Sequence, residues 1–181
     1  MSNILRLREA LGQDVARGNQ FRVVINPPAL LNISLPEVDR FSILAKSVTT
    51  PDDTVGTIDV NSAGKRVRFR GDKEYGDISI DIRYDAMLKS HDFLYAWMDF
   101  LVGHNTYNAA RSHGDYTGSM IIEKLRLYDN RTINAEPEVV KRCFVSQCFP
   151  INVGGLPLDQ EENNSGIIIS TNWAYTDFYW E

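Results

Sequence analysis

The sequence predicts a mainly β chain with one inserted helix, an antiparallel sandwich or barrel on which the helix packs. Three observations carry this. Asp77-Ile78-Ser79-Ile80-Asp81-Ile82-Arg83-Tyr84 is apolar at every second position, the period of a strand with one face buried. The period then becomes helical, with Phe93, Leu94, Trp97, Met98 and Leu101 on one side. Finally, Gly166 to Glu181 reads as one strand running to the last residue, without a polar tail.

Each element has its own reason. Over residues 1–18, Ile4, Leu7, Leu11 and Val15 sit at helical spacing and Gly18-Asn19 supplies a stop, so an amphipathic arm is expected. Phe21, Val23 and Ile25 alternate until Asn26-Pro27-Pro28 ends the first strand. A second strand covers Phe41 to Val48 and closes at Thr49-Thr50-Pro51-Asp52-Asp53. A third run, Gly56 to Arg70, is interrupted at Asn61-Ser62-Ala63-Gly64 and so prefigures a hairpin. The helix is expected over 86–103, capped at Ser90 and stopped by Gly103. Strands resume at Ser119 to Tyr128 and Val139 to Phe149, which brings the total to about seven in a single domain, 1–181.

Composition narrows the function. With 43% hydrophobic and 24% charged residues, the chain has enough apolar material for a real core and too little bias to be disordered. A net charge of -5 argues against a protein that grips phosphates. No apolar run follows Met1 and none approaches the roughly 20 residues of a membrane span, so a chain without a signal peptide or membrane anchor is expected. Cys143 and Cys148 lie an odd number of positions apart in one strand; their side chains should point to opposite faces and stay reduced.

No catalytic or metal constellation emerges. His91, His104 and His113 are scattered, with no second ligand one helical turn away, and G-x-S-x-G, Walker and G-x-G-x-x-G patterns are missing. Glu161-Glu162 and Asp52-Asp53 read as solvated loop charge. No cofactor is called for. The expectation is a protein that is not an enzyme; a β-sandwich binding module or an unrecognised hydrolase is the reading from another class.

Two patterns point instead to assembly. In Lys65-Arg66-Val67-Arg68-Phe69-Arg70 the three arginines share one strand face, with Val67 and Phe69 on the other. This is either a solvated face or a surface for an acidic partner. Asp52, Asp53 and Asp59 supply the opposite sign in the same hairpin, so copies meeting head to tail would pair them. Trp173, Tyr175, Phe178, Tyr179 and Trp180 are either an ordinary core strand or a seam between subunits.

The block Cys148-Phe149-Pro150-Ile151-Asn152-Val153-Gly154-Gly155-Leu156-Pro157-Leu158-Asp159, followed by a strand ending Tyr179-Trp180-Glu181, resembles the major tail tube proteins of contractile-tailed bacteriophages. Other blocks resemble that family in the same order: Ala16 to Val23, Ala45 to Pro51, Arg70 to Tyr75, Ile78 to Tyr84 and the Asp92-to-Trp97 helix. Longer loops at Asn26 to Asp39 and Asn105 to Ser119 depart from its shorter members.

The resemblance implies a barrel-like subunit, six copies to a ring, and rings stacked head to tail into a tube inside a contractile sheath and on a baseplate. Its strands would pool with those of neighbours in a lumen barrel. It implies a tape measure that sets length, a tail terminator, and a viral genome that passes the bore without specific binding. The virion would be its place, after assembly in the host cytoplasm. A baseplate tube initiator and the inner tube of a bacterial contractile injection system are relatives of the same kind. The arm and a long hairpin over 48–67 would carry contacts between rings, which assigns Thr49, Pro51, Asp52, Asp53, Asp59, Lys65, Arg66 and Arg68 to stacking. The terminal strand over 166–181 would carry packing through Trp173, Tyr175, Phe178, Tyr179 and Trp180.

Overall fold

The computed structural model describes residues 18–31, 43–62, 64–103, 112–126, 137–158 and 166–181. The expected arm, His104, and most of the loops around 32–42, 104–111, 127–136 and 159–165 lie outside the described residues. In chain order the elements are β1 (Phe21–Asn26), β2 (Ala45–Val48), β3 (Asp53–Ser62), β4 (Lys65–Tyr75), β5 (Ile78–Arg83), α1 (Lys89–Leu101), α2 (His113–Tyr116), β6 (Gly118–Arg126), β7 (Glu138–Val153), β8 (Ile168–Ala174) and β9 (Asp177–Trp180).

The fold is mainly antiparallel β. One sheet follows the order β1-β6-β7-β8-β5-β2, with β9 added on β7, and β3 pairs only with β4. The first six strands of that path roll up so that β2 approaches β1. Alternation decides what fills the interior: Val23 and Ile25 from β1, Ile78, Ile80 and Ile82 from β5, Met120 and Ile122 from β6, and Trp173 from β8 are all buried in one core. Helix α1 adds Phe93, Leu94 and Trp97 to it. The Trp97 and Trp173 rings meet edge to face at 5.3 Å, and Trp97 Nε1 donates to the Tyr116 carbonyl at 3.1 Å.

Strand β7 makes the turn from one half of the barrel to the other. Its first part pairs with β6, its last residues with β8. Between them, three residues of β6, Gly118 to Met120, face four of β7, Val145 to Cys148, a bulge with Gln147 at φ 51°. The extra residue bends the strand and resets its alternation. Cys143 and Cys148 therefore both point into the core, not to opposite faces as expected, and both are free thiols. Burial pushes them up to about 11 and about 12 respectively.

Other elements differ from expectation for local reasons. There are nine strands among the described residues, because the expected third run is two strands and the closing run is also two. After Ala174 the chain leaves β5 and β7's distal part, Thr176 N donates to the Ser146 carbonyl at 3.2 Å, and β9 then pairs with the proximal part of β7. Helix α1 starts after Leu88 (φ 52°), not at a Ser90 cap; Ser90 is buried in the first turn, and the Asp85 carboxylate accepts from Lys89 N at 3.2 Å. The hairpin runs from Asp53 to Tyr75, later and longer than 48–67, because pairing continues beyond Val67.

Candidate assembly surfaces

Just before β4, Gly64 has φ 78°, a conformation open to glycine at little cost. The register of the β3–β4 hairpin sets two faces: Ile58 pairs with Phe69 and Val60 with Val67, while Asp59 pairs with Arg68 and Asn61 with Arg66. In a two-stranded sheet neither face is covered by a second layer. Ile58, Val60, Val67 and Phe69 are accordingly 57%, 45%, 45% and 54% exposed, four adjacent apolar side chains in solvent.

The opposite face carries the predicted charges, and they are already engaged within the hairpin. Asp59 accepts from Arg66 and, at 3.1 Å, from Arg68 Nε; these bonds hold its carboxyl below the usual aspartate value. Asp53 pairs with Lys73 at 3.0 Å. Asp52 Oδ1 accepts from Gly76 N at 3.1 Å, Thr49 N donates to the Ser79 carbonyl at 2.8 Å, and Pro51 is buried. Lys65 is exposed at the turn. Exposed pairs of this kind contribute little. Their effect is to align the two strands.

The base of the hairpin is fixed to the chain's last strand. Tyr75 stands edge to face with Phe178 at 5.5 Å and tilted against Tyr175 at 6.0 Å, with Lys73 Nζ 4.8 Å from the Tyr75 ring. Burial, then the charges of Asp52 and Asp53, push the Tyr175 hydroxyl up to about 12. Gly71 allows the strands to cross at a bulge: a Cβ there would lie 2.9 Å from the Gly56 carbonyl group.

The five aromatics of the closing segment separate by depth. Trp173 is wholly buried, and Tyr175 and Phe178 are partly buried beside the hairpin base. Tyr179 is 59% exposed and stacks on Phe144 at 4.9 Å, while Trp180 is 40% exposed under Lys141 Nζ at 4.8 Å. On the outer face shared with Tyr179, Glu123 is nearly buried between Arg22 (Nε at 2.6 Å) and Arg142 (Nε at 3.0 Å). Reciprocal bonds between Arg142 and Glu181 carry the β9 pairing to the last residue.

A third surface lies beside α1. A groove of about 680 Å³ runs between the outer side of the helix and β7, lined by Tyr95, Met98, Val102, Phe149 and Ile151 with Asp99 at its edge. Val102 is 64% exposed. His91 stacks on Tyr95 at 4.2 Å and stands edge to face with Tyr84. His113, on α2, packs against Tyr116 and Phe149. No group of three His, Cys, Asp or Glu side chains converges among the described residues.

The profile of the phage tail tube protein family matches residues 16–181. The chain belongs to that family. It is 24% identical over 167 residues to the tail tube protein of Serratia phage KSP90, covering 91% of this chain and 89% of the relative. It is 23% identical to the tail tube protein of Enterobacteria phage T4, covering 93% and 92%. Two solved structures share the fold. A chain of the anti-feeding prophage baseplate, determined with six-fold symmetry, matches at TM-score 0.64 with 13% identity, over 94% of this chain and 97% of that one. A chain of the sheath-tube complex of an extracellular contractile injection system matches at 0.60 with 14% identity, over 100% and 98%.

The protein is thus a structural subunit of a tail tube. Within this tube subunit the sequence had located the hairpin's charges and the terminal aromatics but not the exposed apolar face, nor the groove. The face was legible in Ile58 and Val60 alternating with Asp59 and Asn61, opposite Val67 and Phe69. The groove was not, since α1 and the part of β7 around Phe149 to Ile151 come together only through tertiary packing.

Proposed function

We propose that residues 1–181 act as one tube domain, that six copies close a ring, and that rings stack head to tail into the inner conduit of a contractile tail. The sheath surrounds it, a baseplate and a terminator bound it, and a tape measure sets its length. The viral genome passes through the bore. The subunit has no catalytic task, and it assembles in the host cytoplasm before entering the virion.

One observation carries this reading: a barrel with a filled core leaves its hairpin and last strand with apolar side chains in solvent, in a chain matched over 16–181 by the tail tube family. The two solved structures that share the fold, from a six-fold baseplate and a sheath-tube complex, support ring and sheath. Contacts between stacked rings join unlike surfaces, upper to lower, as the two faces of this subunit are unlike. The outer face of β2, β5 and β8 suits the bore. There Ser47 and Ser170 donate to Asp81 at 2.7 and 2.5 Å, beside Ser79 and Asn172, a hydroxyl- and amide-rich surface with an anion at its centre. Arg83 shares this face of β5, so the wall mixes both signs, whereas tight phosphate binding needs clustered cations.

Electron microscopy of the purified protein at high concentration tests the reading. Rings or tubes with six-fold averages are expected; a protein that stays monomeric across salt, pH and concentration would overturn it.

A further inference from the structure

The hairpin's apolar face and the groove beside α1 are two apolar features that stand open among the described residues, and both belong to every copy. Resting on the tube reading above, we infer that Ile58, Val60, Val67 and Phe69 of one copy seat in the α1–β7 groove of a second copy, in contact with Met98, Val102 and Ile151. The hairpin's charged face is then its outer, solvated side, and the stacking contact is apolar at its centre.

Three features favour this occupant. First, the surfaces differ from each other, so their contact is heterologous and propagates from copy to copy instead of closing a dimer. Second, both are apolar at the centre, as the core of an interface is. Third, the two elements carry opposite sign, which acts on approach although the arginines face away from the contact itself. From Thr57 to Arg70 the hairpin carries Lys65, Arg66, Arg68 and Arg70 against a single carboxylate, Asp59. The groove has Asp99 in its lining and ends at the C-terminus of α1, whose own last turn holds no basic residue. The arginines do not form the core of the contact, because Arg66 and Arg68 already serve Asp59; they orient the approach.

The reading assigns new roles to residues. Phe69 is the central anchor, an aromatic flanked by aliphatic side chains, the residue kind that dominates such contacts. Met98, with its flexible side chain, shapes the floor that receives it.

The test uses the full-length protein. Phe69→Cys is labelled with a benzophenone maleimide; the native thiols of Cys143 and Cys148 are buried and do not compete. Labelled protein is mixed with isotopically heavy unlabelled protein, assembled, irradiated and digested. Adducts between the label and heavy peptides bearing Tyr95, Met98, Val102 or Ile151 are expected. Tubes whose adducts fall elsewhere, or only within the labelled copy, would overturn the docking site and leave the tube reading intact. Absence of rings and tubes in the unmodified protein would overturn both.

A second measurement needs no label. Phe69→Ala and Val102→Ala each should raise the concentration needed for tube formation by about tenfold, and the double variant should raise it little further, because both remove one shared contact. Fully additive effects would assign the two residues to separate surfaces and reject the pairing. Circular dichroism of each variant checks that the fold is kept.

Discussion

The barrel and the hairpin are built from the same pairing rules yet stand in opposite relations to solvent. In the barrel, the alternating face of β5 is covered by α1 and by the facing strands, so Ile78, Ile80 and Ile82 are fully buried. In the hairpin, the alternating face of β3 and β4 has no covering layer, and its four apolar residues remain about half exposed. An isolated two-stranded sheet is at best marginally stable in water. The barrel therefore carries the stability of the single subunit, and the hairpin, held to it at its base through Tyr75, keeps an uncovered apolar face.

The contrast is sharpest where a large side chain is removed. Trp97 fills the barrel's centre against Phe93 and Trp173, so Trp97→Ala should lower unfolding free energy by about 3–5 kcal/mol, read from urea melts of the monomer. A loss below about 1 kcal/mol would mean that the helix is peripheral to the core.

A smaller effect is expected on the barrel's outer face. Glu123 is nearly buried and bonded to two arginines, so Glu123→Gln should lower stability by about 1–3 kcal/mol, in the same assay. The arginines themselves are about half exposed and regain water. The effect therefore stays below that of Trp97→Ala.

How much of this was readable beforehand follows the same division. The inward residues of β1 and β5, and the helix face of Phe93, Leu94 and Trp97, follow from period alone, since each is buried by its own alternation. Where a bulge or a change of partner intervenes, period misleads. The bulge at Gln147 turned Cys148 to the side of Cys143, and the break at Tyr175-Thr176 divided the last strand between two partners. The hairpin's charges were visible in the sequence, but that Asp59 is satisfied by Arg66 and Arg68 of its own hairpin depends on register. The groove joins α1 to β7 across some fifty residues of chain and has no local signal.

In the hairpin a comparable perturbation should leave the monomer nearly unchanged. Gly71→Ala places a methyl 2.9 Å from the Gly56 carbonyl group and must displace one strand. Monomer stability should shift by no more than about 0.5 kcal/mol, because the barrel does not rest on the hairpin, while tube formation falls. A monomer destabilised as much as by Glu123→Gln would show that the hairpin belongs to the cooperative unit.

The smallest expected effect concerns acid. Folding holds both Asp59 and Asp81 below the usual aspartate value, Asp59 through Arg66 and Arg68, Asp81 first through Ser170 and then through Ser47. A carboxyl depressed in this way stabilises the folded form above its ordinary pKa of 3.8, and that contribution is lost as pH falls through the lower folded value. The sign is the same at both sites, but the surroundings differ. Asp81 sits on strands whose inner faces are locked in the core, so protonation leaves β5 and β8 paired. Asp59 aligns the outer part of two strands that no second layer covers. Amide exchange on the monomer below pH 3.8 should therefore rise first across Asp53 to Tyr75 while Ile78 to Arg83 stays protected. Equal protection loss in both segments would remove the distinction between a self-sufficient barrel and a dependent hairpin.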